Sequence, residues 1–185
     1  DPAVDMGLID AEGEKAFCAG GDINALYSTG KTGNFDYART FWADEYRLNA
    51  KIAAFPKPYV ALMDGIVMGG GVGVSAHGSH RIVTDKTMLA MPECGIGLIP
   101  DVGGTWLLAH APGRIGEYLG LTGARIGAAD AMYAGFADTF VPSDKLDALK
   151  ARLLATGDES CITEFAAQPP AGDLASIANE IETAF

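Results

Sequence analysis

Residues 59–73 constrain this chain more than any other stretch. Tyr-Val-Ala-Leu-Met-Asp-Gly-Ile-Val (59–67) is an apolar run with one acidic break, and Met68-Gly69-Gly70-Gly71-Val72-Gly73 follows it directly. Such a run reads as a strand buried on both faces, which places it in a parallel sheet covered by helices. Pro56 and Pro58 close the helical pattern before it. Glycines clustered at the end of a buried strand bring bare backbone close to something, either a packed helix or a ligand. Gly71-Val72-Gly73-Val74-Ser75-Ala76 fits the G-x-G-x-x-A pattern of dinucleotide sites. The acidic residue that should end the next strand is poorly placed, because Asp85 comes too early and Glu93 follows a second short strand. The other reading of these glycines is that they let a helix approach the sheet.

Around this centre, strand and helix patterns alternate, so the predicted class is α/β. Strands are predicted over 6–9, 59–67, 81–84, 88–91 and 138–141, and 17–23 as a loop leading to a short helix near Ala25. A helix is predicted over 35–55, with Phe41, Leu48 and Ile52 on one stripe and Glu45 on the same stripe. Another follows the glycines through Ala76 to about Gly78, and further helices cover 105–110, 115–121 and 128–134. Ser143 is the predicted N-cap of a helix with Leu146, Leu149, Leu153 and Leu154 as its stripe and Gly157 as its stop. Pro169-Pro170 and Gly172 read as a linker into a last helix.

Composition narrows the function classes. With 185 residues and 49% hydrophobic content, the chain suits one domain that buries roughly 70% of its unfolded surface. Its 24 acidic and 13 basic residues give a net charge of −11. Nucleic acid is excluded as a partner, since phosphate binding needs a basic face and these Lys and Arg residues are scattered. A transmembrane helix is not expected, because the longest apolar stretch, 59–74, is broken by Asp64 and by glycines. Cys18, Cys94 and Cys161 form no C-x-x-C pair and are too few for a disulfide framework, which points to a reducing compartment. Residues 1–10 show no signal-peptide pattern. The missing initiator Met leads to the expectation of a fragment.

Two glycine-rich strand ends, Ala19-Gly20-Gly21 and Gly69-Gly70-Gly71, can each present a backbone N–H near a helix start. Two such donors aimed at one oxygen make an oxyanion hole. The loop 92–104 offers two acids, Glu93 and Asp101, to handle water or a proton. Asp101 has a second reading as the N-cap of the helix after it. Glu45, on an otherwise apolar stripe, must either pair with a donor or face a cavity. His77 and His80 are three apart, but no third ligand stands at useful spacing, so no metal site is expected. His110 ends a helix. Cys18 and Cys94 lack an activating His and read as packing residues. Met68 and Met91 read as pocket wall or core, and Trp42 and Trp106 as packing anchors on helices.

The phrases Lys15-Ala16-Phe17-Cys18-Ala19-Gly20-Gly21-Asp22-Ile23, Lys57-Pro58-Tyr59-Val60-Ala61-Leu62-Met63-Asp64-Gly65, Met68-Gly69-Gly70-Gly71-Val72-Gly73 and Met91-Pro92-Glu93 through Pro100-Asp101-Val102-Gly103-Gly104 resemble the crotonase (enoyl-CoA hydratase/isomerase) superfamily. The resemblance runs from about Asp1 to Ser143, and within the superfamily it is most similar to the 3-hydroxyisobutyryl-CoA hydrolase branch.

The resemblance implies a spiral of repeated β-β-α units with C-terminal helices: a core over 1–142, its N-terminal part missing, and an incomplete helical segment over 143–185. It implies that the N–H groups of Gly21 and Gly70 hold a thioester carbonyl oxygen. Hydratases of the superfamily use two glutamates, one in the glycine-rich helix start and one after the Met-Pro step. Gly73 stands at the first position and only Glu93 remains, while Asp101, eight residues on, replaces a usual glycine as in the hydrolase branch. Glu93 is then the base or the nucleophile of an acyl anhydride, Asp101 orients water or the substrate hydroxyl, and Glu45 binds the 3-hydroxyl.

The implied activity is hydrolysis of a short hydroxyacyl-CoA, 3-hydroxyisobutyryl-CoA in valine catabolism. No cofactor is needed, since coenzyme A belongs to the substrate. An enoyl-CoA hydratase or isomerase using Glu93 alone, and a non-catalytic acyl-CoA binder or assembly subunit, stay open. The family context also implies a homo-oligomer, commonly a trimer, in the cytoplasm of a bacterium or the mitochondrial matrix of a eukaryote. The charge of −11 leaves the phosphates of coenzyme A to a few local bases, helix N-termini or chain lying outside these residues.

Overall fold

The computed structural model describes residues 2–185. Among the described residues, seven strands form two parallel sheets. Strands β1 (Gly7–Ile9), β3 (Tyr59–Met63), β5 (His80–Val83) and β7 (Thr139–Phe140) lie in that order in one sheet, and β2 (Ala16–Cys18), β4 (Ile66–Met68) and β6 (Met88–Ala90) in the other. The registers pair Leu8 with Val60, Leu62 with Ile82, Ile82 with Thr139, and Val67 with Leu89. Strands β1, β3 and β5 each turn into the next even strand, which then leads to helices: α1 (Ile23–Lys31) and α2 (Asp36–Ala53) after β2, and α3 (Gly70–Gly73) after β4. After β6 come α4 (Gly104–Ala109), α5 (Ile115–Thr122) and α6 (Ala128–Tyr133). After β7 come α7 (Leu146–Thr156), α8 (Ile162–Phe165) and α9 (Ala178–Ala184). This is the β-β-α spiral that the resemblance implies.

The apolar run 59–67 is two strands rather than one. Gly65 takes φ of +81°, and a Cβ there would sit 2.7 Å from the Lys15 carbonyl oxygen. The chain turns at Asp64-Gly65, held by a 2.5 Å bond from the Thr84 hydroxyl to Asp64 Oδ1, and crosses from one sheet to the other. Residues 17 and 18, predicted within a loop, belong to strand β2 because Ala16 and Cys18 pair with β4. A three-residue strand has too short a pattern to be read from sequence. β3 is buried on both faces as predicted: Val60 and Leu62 join Leu149, Leu153 and Ile162 on one side, and Ala61 and Met63 face Val67, Leu89 and Phe136 on the other.

Four other expectations change. Leu48 is 47% exposed, and the inward face of α2 runs through Asn49 and Ile52 instead. Ser143 does not cap α7; its amide and hydroxyl both donate to the Asp85 carboxylate, with a short 3₁₀ turn between it and the helix. In α7, Leu149 and Leu153 are buried while Leu154 faces solvent. The helix predicted to reach Gly78 ends at Gly73 and continues as turns. No helix among the described residues is long and apolar enough to cross a membrane.

Candidate active site

The three strands of the second sheet are parallel, so their C-terminal ends open on one side, where ligands of such sheets are bound. From β2 the chain enters Ala19-Gly20-Gly21, from β4 Gly69-Gly70, and from β6 Met91-Pro92-Glu93. All three segments border one cavity of about 220 Å³, closed from above by Phe41, Trp42 and Glu45 of α2 and by Asp101. Gly21, Gly70, Glu45, Glu93 and Asp101, separate in sequence, therefore meet in one place. Trp42 lines this cavity, whereas Trp106, expected to anchor packing, is 60% exposed and lies 4.2 Å from the His110 ring.

The glycine loops approach each other closely. A Cβ on Gly70 would stand 3.5 Å from the Gly21 nitrogen and 2.7 Å from Glu45 Oε1. The Gly21 and Gly70 amides donate to no described group. Both residues border one small cavity, and two amides aimed at one oxygen would stabilise charge developing there. The next glycines are filled by protein: a Cβ on Gly71 would run into the Cys18 carbonyl, and one on Gly73 would lie 2.6 Å from Val102 Cβ and 2.9 Å from Asn49 Nδ2. This packing removes the dinucleotide reading, because a pyrophosphate has no space over Gly71 or Gly73, and it supports the close-approach alternative.

Glu93 starts a 3₁₀ turn (Glu93–Ile96) and is 5% exposed. Its Oε2 is buried without a partner among the described residues. Burial raises its pKa, its own backbone amide opposes this, and the negative charges of Asp101 and Glu45 raise it further. Glu45 is raised as well, by burial and then by Asp101. No Lys, Arg or His lines the cavity among the described residues, so three acids share it without a cation. Raised pKa values bring carboxylates nearer the operating pH, where proton transfer is most effective.

Asp101 is not the N-cap of α4; that position is Gly103. Its Oδ2 accepts a 2.8 Å hydrogen bond from the Tyr46 hydroxyl. The chain bends here through two successive left-handed residues, Val102 at φ +49° and Gly103 at φ +76°. A β-branched residue in that region costs about 1–3 kcal/mol and persists only where its surroundings enforce it. His77 Nε2 lies 2.7 Å from the Val102 carbonyl oxygen, which assigns the ring proton to Nε2, and the Val102 side chain is buried. Sequence reasoning missed Tyr46 and the bend at Val102. Tyr46 follows Glu45 directly, but nothing local shows that its hydroxyl reaches a residue 55 positions away.

The sequence matches the enoyl-CoA hydratase/isomerase family across residues 1–185. The chain belongs to this family. Within the family it is 49% identical over 154 residues to the mitochondrial 3-hydroxyisobutyryl-CoA hydrolase of Danio rerio, an alignment covering 83% of this chain and 40% of that relative. It is 50% identical over 155 residues to the corresponding hydrolase of Gallus gallus, covering 84% of this chain and 40% of that one. The chain thus spans about 40% of the length of these curated relatives. Among solved structures, a protein described as a carnitinyl-CoA dehydratase from Mycobacterium thermoresistibile superposes with a TM-score of 0.97 at 51% identity, over 100% of this chain and 54% of that one. An enoyl-CoA hydratase from Rhodobacter sphaeroides 2.4.1 gives 0.89 at 52% identity, over 100% and 53%.

Proposed function

We propose that this family member hydrolyses a short 3-hydroxyacyl-CoA thioester, with 3-hydroxyisobutyryl-CoA as the favoured substrate. The observation that carries the reading is at Gly73. The space where the family's hydratases hold their first glutamate is taken here by Val102 Cβ and Asn49 Nδ2, at 2.6 and 2.9 Å from the place of a Cβ. The two-carboxylate addition of water to a double bond lacks one of its acids, while Asp101 enters the cavity beside Glu93. Hydrolases at 49–50% identity support the same substrate class.

In this mechanism the Gly21 and Gly70 amides hold the thioester carbonyl oxygen. Glu93 removes a proton from water as the water oxygen attacks the carbonyl carbon, and the tetrahedral oxyanion stays between the two amides. The C–S bond then breaks, and the thiolate takes the proton from Glu93. Asp101 orients the water, and Glu45 accepts a hydrogen bond from the 3-hydroxyl. In the alternative route the Glu93 carboxylate attacks first, expelling thiolate and forming an anhydride that water opens. No cofactor takes part in either route. Single turnover in ¹⁸O-water separates them, because label retained in Glu93 marks the anhydride.

The hydratase reading is favoured by the descriptions of the two solved structures. Thiol release from a panel of hydroxyacyl-CoA thioesters, set against the change in enoyl absorbance with the matching enoyl-CoA, decides between them. Hydration without thiol release overturns the proposal, and binding without either reaction leaves a non-catalytic acyl-CoA binder.

A further inference from the structure

Asp101 sits where several forces act against its position. Glu45 and Glu93 share its cavity, no cationic side chain lines that cavity among the described residues, and like charges in a small space repel. The backbone around it is well tied. Val102 is packed into the core, its carbonyl oxygen is 2.7 Å from His77 Nε2, and the Gly104 amide donates to the Asp101 carbonyl at 2.5 Å. None of these ties fixes the carboxylate itself, and the terminal torsion of an aspartate is broad and soft. The group that reaches the carboxylate is the Tyr46 hydroxyl, at 2.8 Å from Oδ2.

Tyr46 is not there for core packing. The residue is 44% exposed and borders a second cavity of about 630 Å³ with Asn49, His77 and Gly103. Asp101 borders the smaller cavity, and Gly103, two residues on, borders the larger one. Burial raises the Tyr46 phenol pKa, and so do its bond to Asp101 and the negative charge of that residue, which keeps the donating proton in place.

We propose that Tyr46 is the positioning residue for Asp101: its hydroxyl holds Oδ2 against the repulsion of Glu45 and Glu93 and leaves Oδ1 directed to water or substrate. The assignment of a catalytic task to Asp101 rests on the hydrolase reading; the positioning itself rests on geometry. Tyr46→Phe, which keeps the ring and deletes the oxygen, lowers kcat for thiol release about tenfold, the equivalent of about 1.4 kcal/mol, with KM within twofold of wild type. In an Asp101→Ala background the same change alters kcat less than twofold. An unchanged kcat, or an equal loss in both backgrounds, overturns the proposal, because a purely structural role for Tyr46 acts whether or not Asp101 is present. A crystal structure of Tyr46→Phe gives a readout without activity: the Asp101 carboxylate is expected to leave its place beside residue 46, and a carboxylate unmoved within 0.5 Å overturns the proposal. If the wild type releases no thiol from any thioester, the hydrolase reading fails and the crystallographic result still decides the positioning.

Discussion

Two of the glycine-rich loops at the candidate site, residues 69–73 and 95–97, use the same residue type in opposite ways. In residues 69–73 glycine is required by what surrounds it: the place of a Cβ on Gly71 is occupied by the Cys18 carbonyl, and on Gly73 by Val102. In residues 95–97 a Cβ on Gly95 or Gly97 meets nothing within 4 Å, and Ile96, Leu98 and Ile99 around them are exposed. The first loop is a tightly packed floor where backbone touches backbone, and it carries the Gly70 amide opposite Gly21 of the neighbouring loop. The second is an open rim between the buried Glu93 and the half-buried Asp101. A glycine count does not tell these uses apart; the space around each does.

Gly71→Ala is the hardest test of the contrast. The added methyl meets a backbone carbonyl that cannot rotate away, so a stability loss of about 3 kcal/mol, the top of the usual range for overpacking, is expected in urea unfolding. A midpoint like that of wild type would show that the floor yields and would end the distinction between the loops.

Glu93→Gln acts at the junction of floor and rim. Thiol release falls by about 10²–10⁴, the range for loss of a general base, while thermal stability at neutral pH rises. The sign follows from its raised pKa. Folding favours the protonated acid, so this contribution is present below the ordinary carboxylate pKa and is lost as pH rises through the raised one. The gain in Tm from Gln is therefore larger at pH 8 than at pH 4, and calorimetry at both values measures it. A Tm difference independent of pH would remove the argument that Glu93 is held as a strained, buried acid.

Glu45→Gln removes one of the negative charges that raise Glu93. The acidic limb of the kcat/KM profile then moves to lower pH, and KM for the 3-hydroxyacyl thioester rises severalfold if Glu45 also binds the hydroxyl. A fixed limb would mean that the two glutamates do not feel each other. The smallest effect belongs to the rim: Gly95→Ala, with open space and no positive φ, leaves activity unchanged and stabilises the fold by about 0.4–1 kcal/mol through the unfolded chain. Loss of activity there would show that the rim must move during turnover.

The strongly patterned elements were legible because their signal is local. The helix α2 follows from side-chain period, β3 from its continuous apolar run, and the stop of α7 from Gly157 in a left-handed cap. β2 was not legible, since three residues carry no period and only pairing with β4 makes them a strand. The division of 59–67 was missed because its apolar character continues across the turn at Gly65. Leu48 was assigned inward because a stripe drawn through Phe41 and Ile52 cannot show that α2 turns its Asn49 side to the core.

For the site, the residues themselves offered the glycine-rich ends around Gly21 and Gly70 and the acids Glu45, Glu93 and Asp101, while the meaning of a glycine at position 73 came from the family resemblance. What the sequence determined by itself was chemical inventory and local conformation, because these depend on neighbours along the chain. The tertiary structure decided that three parallel strand ends bring the loops to one cavity, that Val102 fills the space beside Gly73, and that Tyr46 reaches Asp101. Those are distances between residues far apart in the chain, set by sheet pairing and packing, and no local pattern encodes them.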